Sequence, residues 1–151
     1  MKLGIVDLDT GNLASLLSAL NKLNINFKIC KNSFDFEDVD KIILPGVGAF
    51  KDLMKKINEK NMDKIILAKI DKNVSILGVC VGFQILFSGS NEHGDCKGLG
   101  LIKGNFINFK DESEKIKVPH VGWNDCKILK KNKLFQDIED NSDFYFTHSY
   151  Y

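Results

Sequence analysis

Four short apolar runs are spaced along the first half of the chain, each followed by polar or turn residues. They cover Leu3–Val6, Phe27–Cys30, Ile42–Leu44 and Val74–Val79. Runs of this length predict β-strands, and uninterrupted apolar strands are typical of a parallel sheet that is covered on both faces. The first half of the chain is therefore predicted to form the core of such a sheet.

Stretches of helical periodicity separate these runs. Leucines recur at helical spacing over Leu13–Leu23, with Asn12 as a predicted N-cap, and a lysine-rich helical stretch covers about Phe50–Ile70. Residues Val81–Phe87 fit a helix that begins directly after the fourth strand. Strands alternating with helices predict an α/β fold with a doubly wound, mostly parallel sheet of the flavodoxin-like type.

The pattern changes after Gly94, where shorter strand-like pieces replace the strand and helix alternation. These pieces predict an antiparallel edge or flap on the main sheet, and they cover Leu101–Ile102, Phe106–Phe109, Lys127–Leu129 and Phe144–Tyr150. The 151 residues fit a single domain, predicted to span 1–151.

Charge and cysteine usage exclude several classes of function. The net charge is +1, and every basic residue other than histidine is a lysine, which argues against nucleic acid and a membrane surface as partners. The N-terminus has no signal-peptide pattern, and no apolar run is long enough to span a bilayer. We therefore expect a cytoplasmic protein whose four cysteines are free thiols.

The strongest chemical signal is the sequence Gly-Val-Cys-Val-Gly over residues 78–82, between a predicted strand and a predicted helix. This order predicts a nucleophile elbow at Cys80, because a nucleophile on a strained turn needs neighbours with almost no side chain. The N-terminus of the following helix favours the thiolate form of Cys80. The backbone N–H of Val81 is predicted to face the position of a developing oxyanion.

A second glycine-rich segment, Pro45-Gly46-Val47-Gly48-Ala49, follows the third predicted strand. Ligands of open α/β sheets bind outside the carboxyl ends of the strands, so this loop is expected beside the elbow. Its flexible backbone is a candidate for a second oxyanion donor. A dinucleotide fingerprint is the rival interpretation, but Lys51 occupies the position of the third glycine and the loop does not follow the first strand.

These residues resemble a known family. The segment Gly78–Gln84 is similar to the nucleophile motif of class I, triad-type glutamine amidotransferases. Five further segments narrow the resemblance to the glutaminase subunit of imidazole glycerol phosphate synthase, in the same order along the whole chain. They are residues 9–13, 45–50, 98–102, 119–124 and 148–151.

The resemblance implies that glutamine is hydrolysed at Cys80 and that ammonia passes to a (β/α)₈-barrel synthase partner in a heterodimer. That partner makes imidazole glycerol phosphate in histidine biosynthesis, and no cofactor is implied for this subunit. The implied oxyanion donors are Val47, Gly48 and Val81, and the implied substrate-binding residues are Gly46, Gln84, His148, Ser149 and Tyr150. The implied partner-facing residues are Asn12, Pro119, His120, Gly122, Trp123 and Asn124.

One departure from the family pattern affects the expected activity. The family has a His-Pro-Glu motif after the His-Ser-Tyr-Tyr segment, and the sequence to Tyr151 does not contain it. The 1–151 domain is therefore expected to lack the triad histidine and glutamate and the C-terminal part of the fold. Two alternatives to the histidine pathway stay open: a related amidotransferase subunit for surface-sugar amidation, and a catalytically inactive docking module.

None of the three histidines is predicted to be the triad base or a metal ligand. His148 matches a family residue near the site that is not the triad base, and His120 matches the partner-facing segment. His93 and Cys96 have the spacing of two metal ligands, but two ligands do not make a structural zinc site, so no metal is predicted. The lysines of the stretch Lys55–Lys64 are predicted to form a solvated helix face.

Overall fold

The computed structural model describes residues 2–9 and 13–151. The described chain divides into two compact units, one ending at Phe106 and the other covering Ile107–Tyr151. The predicted N-cap and partner-facing residue Asn12 lies outside the described residues.

The first unit is built on four parallel strands in the order β2-β1-β3-β4. Their bounds are β1 Leu3–Val6, β2 Phe27–Cys30, β3 Lys41–Gly46 and β4 Ser75–Cys80. All four predicted strands are present, and the doubly wound parallel order is the predicted fold class. The carboxyl ends of these strands form one edge of the sheet.

Helices cover both faces of this sheet. Helix α1, Leu13–Lys22, packs on one face over Leu3, Ile5 and Ile43. The opposite face carries the larger core, which includes Phe50 from helix α2, Phe50–Glu59, and Met62 from helix α3, Met62–Ile70. Successive residues of β3 alternate between the two cores, as the two-residue repeat of a strand requires.

The central strands are buried on both faces as predicted, but the outer strand β4 is not. Strand β1 is buried along its whole length, whereas in the outer strand β4 Leu77 is 45% exposed and Val79 is 40% exposed. An apolar run alone does not distinguish a central strand from an outer one. The reason is that the order of the strands decides which of them has two neighbours.

Two predicted helices are shorter than their patterns suggested. The lysine-rich stretch is divided between α2 and α3 at Asn61, whose φ of 51° is a left-handed conformation that asparagine tolerates. Helix α4 covers only Val81–Gln84, and Phe87–Ser90 forms strand β5 instead of a last helical turn. The carbonyls of residues 85–87 accept hydrogen bonds from the amides of Leu99, Gly100 and Ile102, which replace the helical ladder.

A small mixed sheet completes the first unit. Strand β5 pairs with β6, Cys96–Lys97, in the antiparallel sense and with β7, Ile102–Phe106, in the parallel sense. The predicted strand over Phe106–Phe109 is therefore wrong beyond Phe106. Helix α5, Phe109–Glu112, begins there, because Asn108 and Asp111 form a capping box.

The second unit contains an antiparallel ribbon of two strands, β8 His120–Cys126 and β9 Ser142–His148. The predicted strand over Lys127–Leu129 is wrong, because β8 ends at Cys126 and those residues enter the connection to β9. The predicted strand over Phe144–Tyr150 is shifted by two residues, with Tyr150 making an isolated bridge to Asn108. No helix among the described residues is both long and apolar enough to cross a membrane.

Candidate active site

Cys80 occupies the junction between β4 and α4, and its backbone there is unusual. It is the last residue of β4, Val81 begins the helix, and Cys80 has φ of 56° and ψ of −125°. A non-glycine residue in such a region costs on the order of 1–3 kcal/mol, which the surrounding structure has to hold in place. The side chain of Cys80 is exposed. The predicted geometry, a strained turn with an accessible thiol at the carboxyl edge of the sheet, is therefore confirmed.

The glycines around Cys80 are required by close backbone contacts. A Cβ on Gly82 would overlap the carbonyl oxygen of Leu44, and one on Gly78 would overlap the backbone of Phe83. Helix α4 can begin directly after the strand only because both positions lack a side chain. The Gly-x-Cys-x-Gly spacing thus has a steric cause in the packing of β3 and β4 against α4.

The second glycine-rich segment lies directly beside the elbow. Strand β3 pairs with β4 so that Gly46 is opposite Cys80, and a Cβ on Gly46 would overlap the amide nitrogen of Gly82. Gly48 has φ of 92°, and a Cβ there would meet no atom within 4 Å. The start of the loop is therefore fixed against the elbow, while the Cβ position of Gly48 faces open space.

Glu92 holds the far end of this loop, and the sequence patterns did not identify it. Its carboxylate accepts a hydrogen bond of 2.7 Å from the backbone N–H of Phe50, the first residue of α2. Ala49 stands at the N-cap and offers no side-chain acceptor, so the first turn of α2 takes a cap from a distant residue. The missing local cap was the only sequence signal for such a contact.

Lysines of the predicted solvated face make specific contacts at the same sheet edge. The Nζ of Lys60 lies 2.5 Å from the carboxylate of Asp9, and the Nζ of Lys31, which follows β2 and is not part of that face, lies 3.2 Å from it. Lys56 donates to the Asp9 carbonyl. The hydrogen bond from Lys60, together with Lys31, lowers the pKa of Asp9 from its usual value. The face is therefore only partly solvated, and it fixes the residue just before the undescribed segment 10–12.

The other predicted substrate residues lie in two places. Gln84 ends α4, four residues after Cys80, and it is half-buried. His148 ends β9 in the second unit, with Ser149 and Tyr150 following it. Within that unit the carbonyl of Ser149 accepts a hydrogen bond from the amide of Phe109, which anchors the end of the chain to α5.

His148 belongs to a hydrogen-bonded chain that includes two predicted partner-facing residues. Its Nδ1 lies 2.9 Å from the carbonyl oxygen of Tyr150, and its Nε2 lies 3.0 Å from Nδ1 of His120. The Nε2 of His120 lies 2.8 Å from Oδ1 of Asn124. A carbonyl only accepts, so Nδ1 of His148 carries a hydrogen, and the Nε2 of His148 is paired with Nδ1 of His120. Both ring nitrogens of His148 are thus already engaged.

The remaining residues that were predicted to face the partner lie on or beside β8. Pro119 follows a cis peptide bond just before the strand, Gly122 has φ of 152°, and the side chain of Trp123 is 69% exposed. Gly122 lies within β8, opposite Phe146 of β9. The structure places Pro119, His120, Gly122, Trp123 and Asn124 together on one short segment.

His93 and Cys96 do not belong to a metal site in the described part of the chain. His93 lies in the loop between β5 and β6 with φ of 54°. Within residues 2–9 and 13–151 no three histidine, cysteine or acidic side chains are grouped to hold a metal ion.

Comparison with known proteins identifies the family of this chain. The family model described as glutamine amidotransferase class-I matches residues 5–151. The chain belongs to the class I glutamine amidotransferase family, and it is an enzyme of that class. A solved structure described as a glutamine amidotransferase superposes with a TM-score of 0.69 at 16% identity, covering 97% of this chain and 70% of that one, which shows the shared fold.

Curated relatives narrow the similarity further. The chain is 41% identical over 151 residues to imidazole glycerol phosphate synthase subunit HisH 1 of Campylobacter jejuni subsp. jejuni serotype O:23/36 (strain 81-176), covering 99% of this chain and 74% of the relative. It is 46% identical over 149 residues to subunit HisH of Methanocaldococcus jannaschii, covering 99% and 73%. The chain thus spans about three quarters of the length of these relatives.

Proposed function

We propose that the chain is the glutaminase subunit of an imidazole glycerol phosphate synthase, and that it releases ammonia from glutamine at Cys80. The observation that carries this proposal is the exposed thiol at positive φ between β4 and α4, with the Gly46–Gly48 loop paired against it. Similarity to HisH subunits favours the histidine pathway over a sugar-modifying relative. The partner is a (β/α)₈-barrel synthase subunit in a heterodimer, and the four free cysteines suit a cytoplasmic setting.

The proposed reaction begins with addition of the Cys80 thiolate to the carboxamide carbon of glutamine. The oxyanion of the tetrahedral intermediate accepts hydrogen bonds from the N–H of Val81 and from N–H groups of Val47 and Gly48. The C–N bond then breaks, and the nitrogen takes a proton and leaves as ammonia. Water cleaves the thioester to glutamate and the free thiol. Gly46, Gln84, His148, Ser149 and Tyr150 are the proposed contacts to the substrate.

Two of these steps, protonation of the leaving nitrogen and attack of water on the thioester, need a positioned acid–base. We assign this role to a His-Pro-Glu segment. The sequence 1–151 contains no such tripeptide. His148 is a poor substitute, because its Nε2 is already hydrogen-bonded to His120 Nδ1 and its Nδ1 donates to a carbonyl. We therefore assign the histidine chain to orienting Ser149 and Tyr150 rather than to proton transfer at Cys80.

Covalent labelling tests the nucleophile and the substrate without needing turnover. A glutamine analogue with a chloromethyl ketone in place of the carboxamide should alkylate Cys80 faster than the other three thiols. Excess glutamine, but not asparagine, should slow that reaction. Cys30 is fully buried, and burial, with a smaller contribution from the Asp35 carboxylate, raises the pKa of its thiol to about 11. At neutral pH it stays protonated and serves as the unreactive internal standard.

Mass spectrometry of tryptic peptides gives the rate at each cysteine. Cys96 and Cys126 are half-buried and serve as the accessible comparison. Equal labelling of Cys80 and these two thiols, with no protection by glutamine, would contradict the proposed site.

Trp123 is proposed as an anchor in the partner interface. Trp123→Ala should weaken binding of the barrel synthase subunit by more than about 1 kcal/mol, because buried aromatic side chains dominate interface energies. Leu134→Ala is the matched control, since Leu134 is similarly exposed at 65% but lies outside the predicted interface. Isothermal titration gives both affinities, and equal values for the two variants would remove Trp123 from the interface.

A further inference from the structure

The ribbon of β8 and β9 has one face that combines exposed rings with unneutralised charge. Side chains alternate along each strand, and the register pairs Trp123 with Tyr145 and Asp125 with Asp143. These four residues, with Val121 and Thr147 opposite each other, therefore share one side of the ribbon, here called the Trp123 face. His120 and His148 lie on the other side.

The apolar part of this face is exposed. Trp123 is 69% exposed and Tyr145 is 55% exposed, and their rings meet edge to face with centroids 5.5 Å apart. Val121 beside them is 54% exposed. Paired aromatic rings left in solvent are the type of anchor that fills a recess in a partner.

Asp125 and Asp143 lie directly opposite each other at one end of the same face. Like charges in opposite positions of an antiparallel pair destabilise the ribbon. Over residues 2–9 and 13–151 neither carboxylate makes an ion pair with a lysine or histidine, and no third ligand joins them to form a metal site. The cation that would neutralise this pair is therefore absent from the described chain.

We propose that the synthase subunit presents a lysine or arginine to the Asp125–Asp143 pair, next to an apolar recess that receives Trp123 and Tyr145. This inference rests on the proposed function and specifies the chemistry of the partner's surface. The carboxylate pair and the aromatic pair are neighbouring cross-strand pairs on the same face of the ribbon. The charged contact and the aromatic contact therefore belong to one continuous interface. A fixed charge beside the anchor accelerates association and sets the register of docking.

The test uses Asp125→Asn, Asp143→Asn and the double variant, with Asp137→Asn as control. Asp137 is exposed in the same unit but lies outside β8 and β9. Association with the synthase subunit is followed by surface plasmon resonance at about 20 mM and at about 500 mM salt, where the Debye length is about 20 Å and about 4 Å. The double variant should associate about 3- to 10-fold more slowly at low salt, with the difference lost at high salt.

A second measurement separates this role from a structural one. Removing one of two opposed charges relieves repulsion in the free chain, so each single variant should unfold at the same temperature as the parent or higher. A structural role would lower the unfolding temperature instead. Weaker docking together with undiminished stability is the expected combination.

Three results would overturn the inference. They are unchanged association at low salt, faster association after charge removal, or a loss equal to that of Asp137→Asn. If Trp123→Ala still weakens the complex in those cases, the proposed function stands and only the charge contact fails. If the parent chain does not bind the synthase subunit and instead dimerises through this face, the proposed partner is wrong.

Discussion

Glutamine hydrolysis by residues 1–151 is expected to be about 10²- to 10⁴-fold slower than by the same chain extended with the C-terminal segment of a HisH relative. The elbow supplies a thiol and oxyanion donors, which support addition to the carboxamide. Departure of ammonia and hydrolysis of the thioester both need a positioned acid–base, and that contribution has this magnitude. Ammonia release is measured with the barrel synthase subunit present.

Cys80→Ala in both polypeptides gives the background rate for this comparison. Asparagine as substrate controls for non-specific amide hydrolysis. Equal rates for the two polypeptides, abolished in each by Cys80→Ala, would show that residues 1–151 already hold the base. His148→Ala in the 1–151 chain would then identify whether that base is His148.

Gly82→Ala is expected to have the second largest effect, because the added methyl group would meet a backbone atom. The overlap is with the carbonyl oxygen of Leu44, which is fixed within β3 and cannot rotate away as a side chain would. Overpacking of this kind costs about 1–3 kcal/mol of stability. The clash is also expected to displace α4, and with it Cys80 relative to the Gly46–Gly48 loop. We expect this displacement to slow the labelling of Cys80 about 10²-fold.

Gly100→Ala is the control that separates the effect of a steric clash from the effect of a strained backbone conformation. Gly100 has φ of 68°, but a Cβ there would meet no atom within 4 Å. It should therefore show only the modest cost of a left-handed alanine, of about 1 kcal/mol, and should leave the labelling of Cys80 unchanged. Urea unfolding and the labelling rate are measured for both variants. A Gly82→Ala protein with parental stability and reactivity would mean that the packing of β3 against α4 does not hold the elbow.

The sequence by itself determined the strands of the main sheet and the location of the elbow. Apolar runs such as Leu3–Val6 can be recognised locally, because a central strand of a parallel sheet is buried on both sides. The elbow was equally visible, since the contacts that exclude a side chain at Gly78 and Gly82 act within one strand–turn–helix unit and its immediate neighbour. The family motifs along the chain added the class of enzyme.

The tertiary structure decided the features that depend on residues far apart in the chain. Helix α4 stops after Gln84 because amides of residues 99–102 bind the carbonyls that would continue it, and α2 is capped by Glu92 from a distant loop. The pairing of Asp125 with Asp143 follows from the register of two strands joined by a long connection. Hydrophobic periodicity reports the burial of a segment but carries no information on which distant groups satisfy its backbone or oppose its charges, so only the folded chain could supply them.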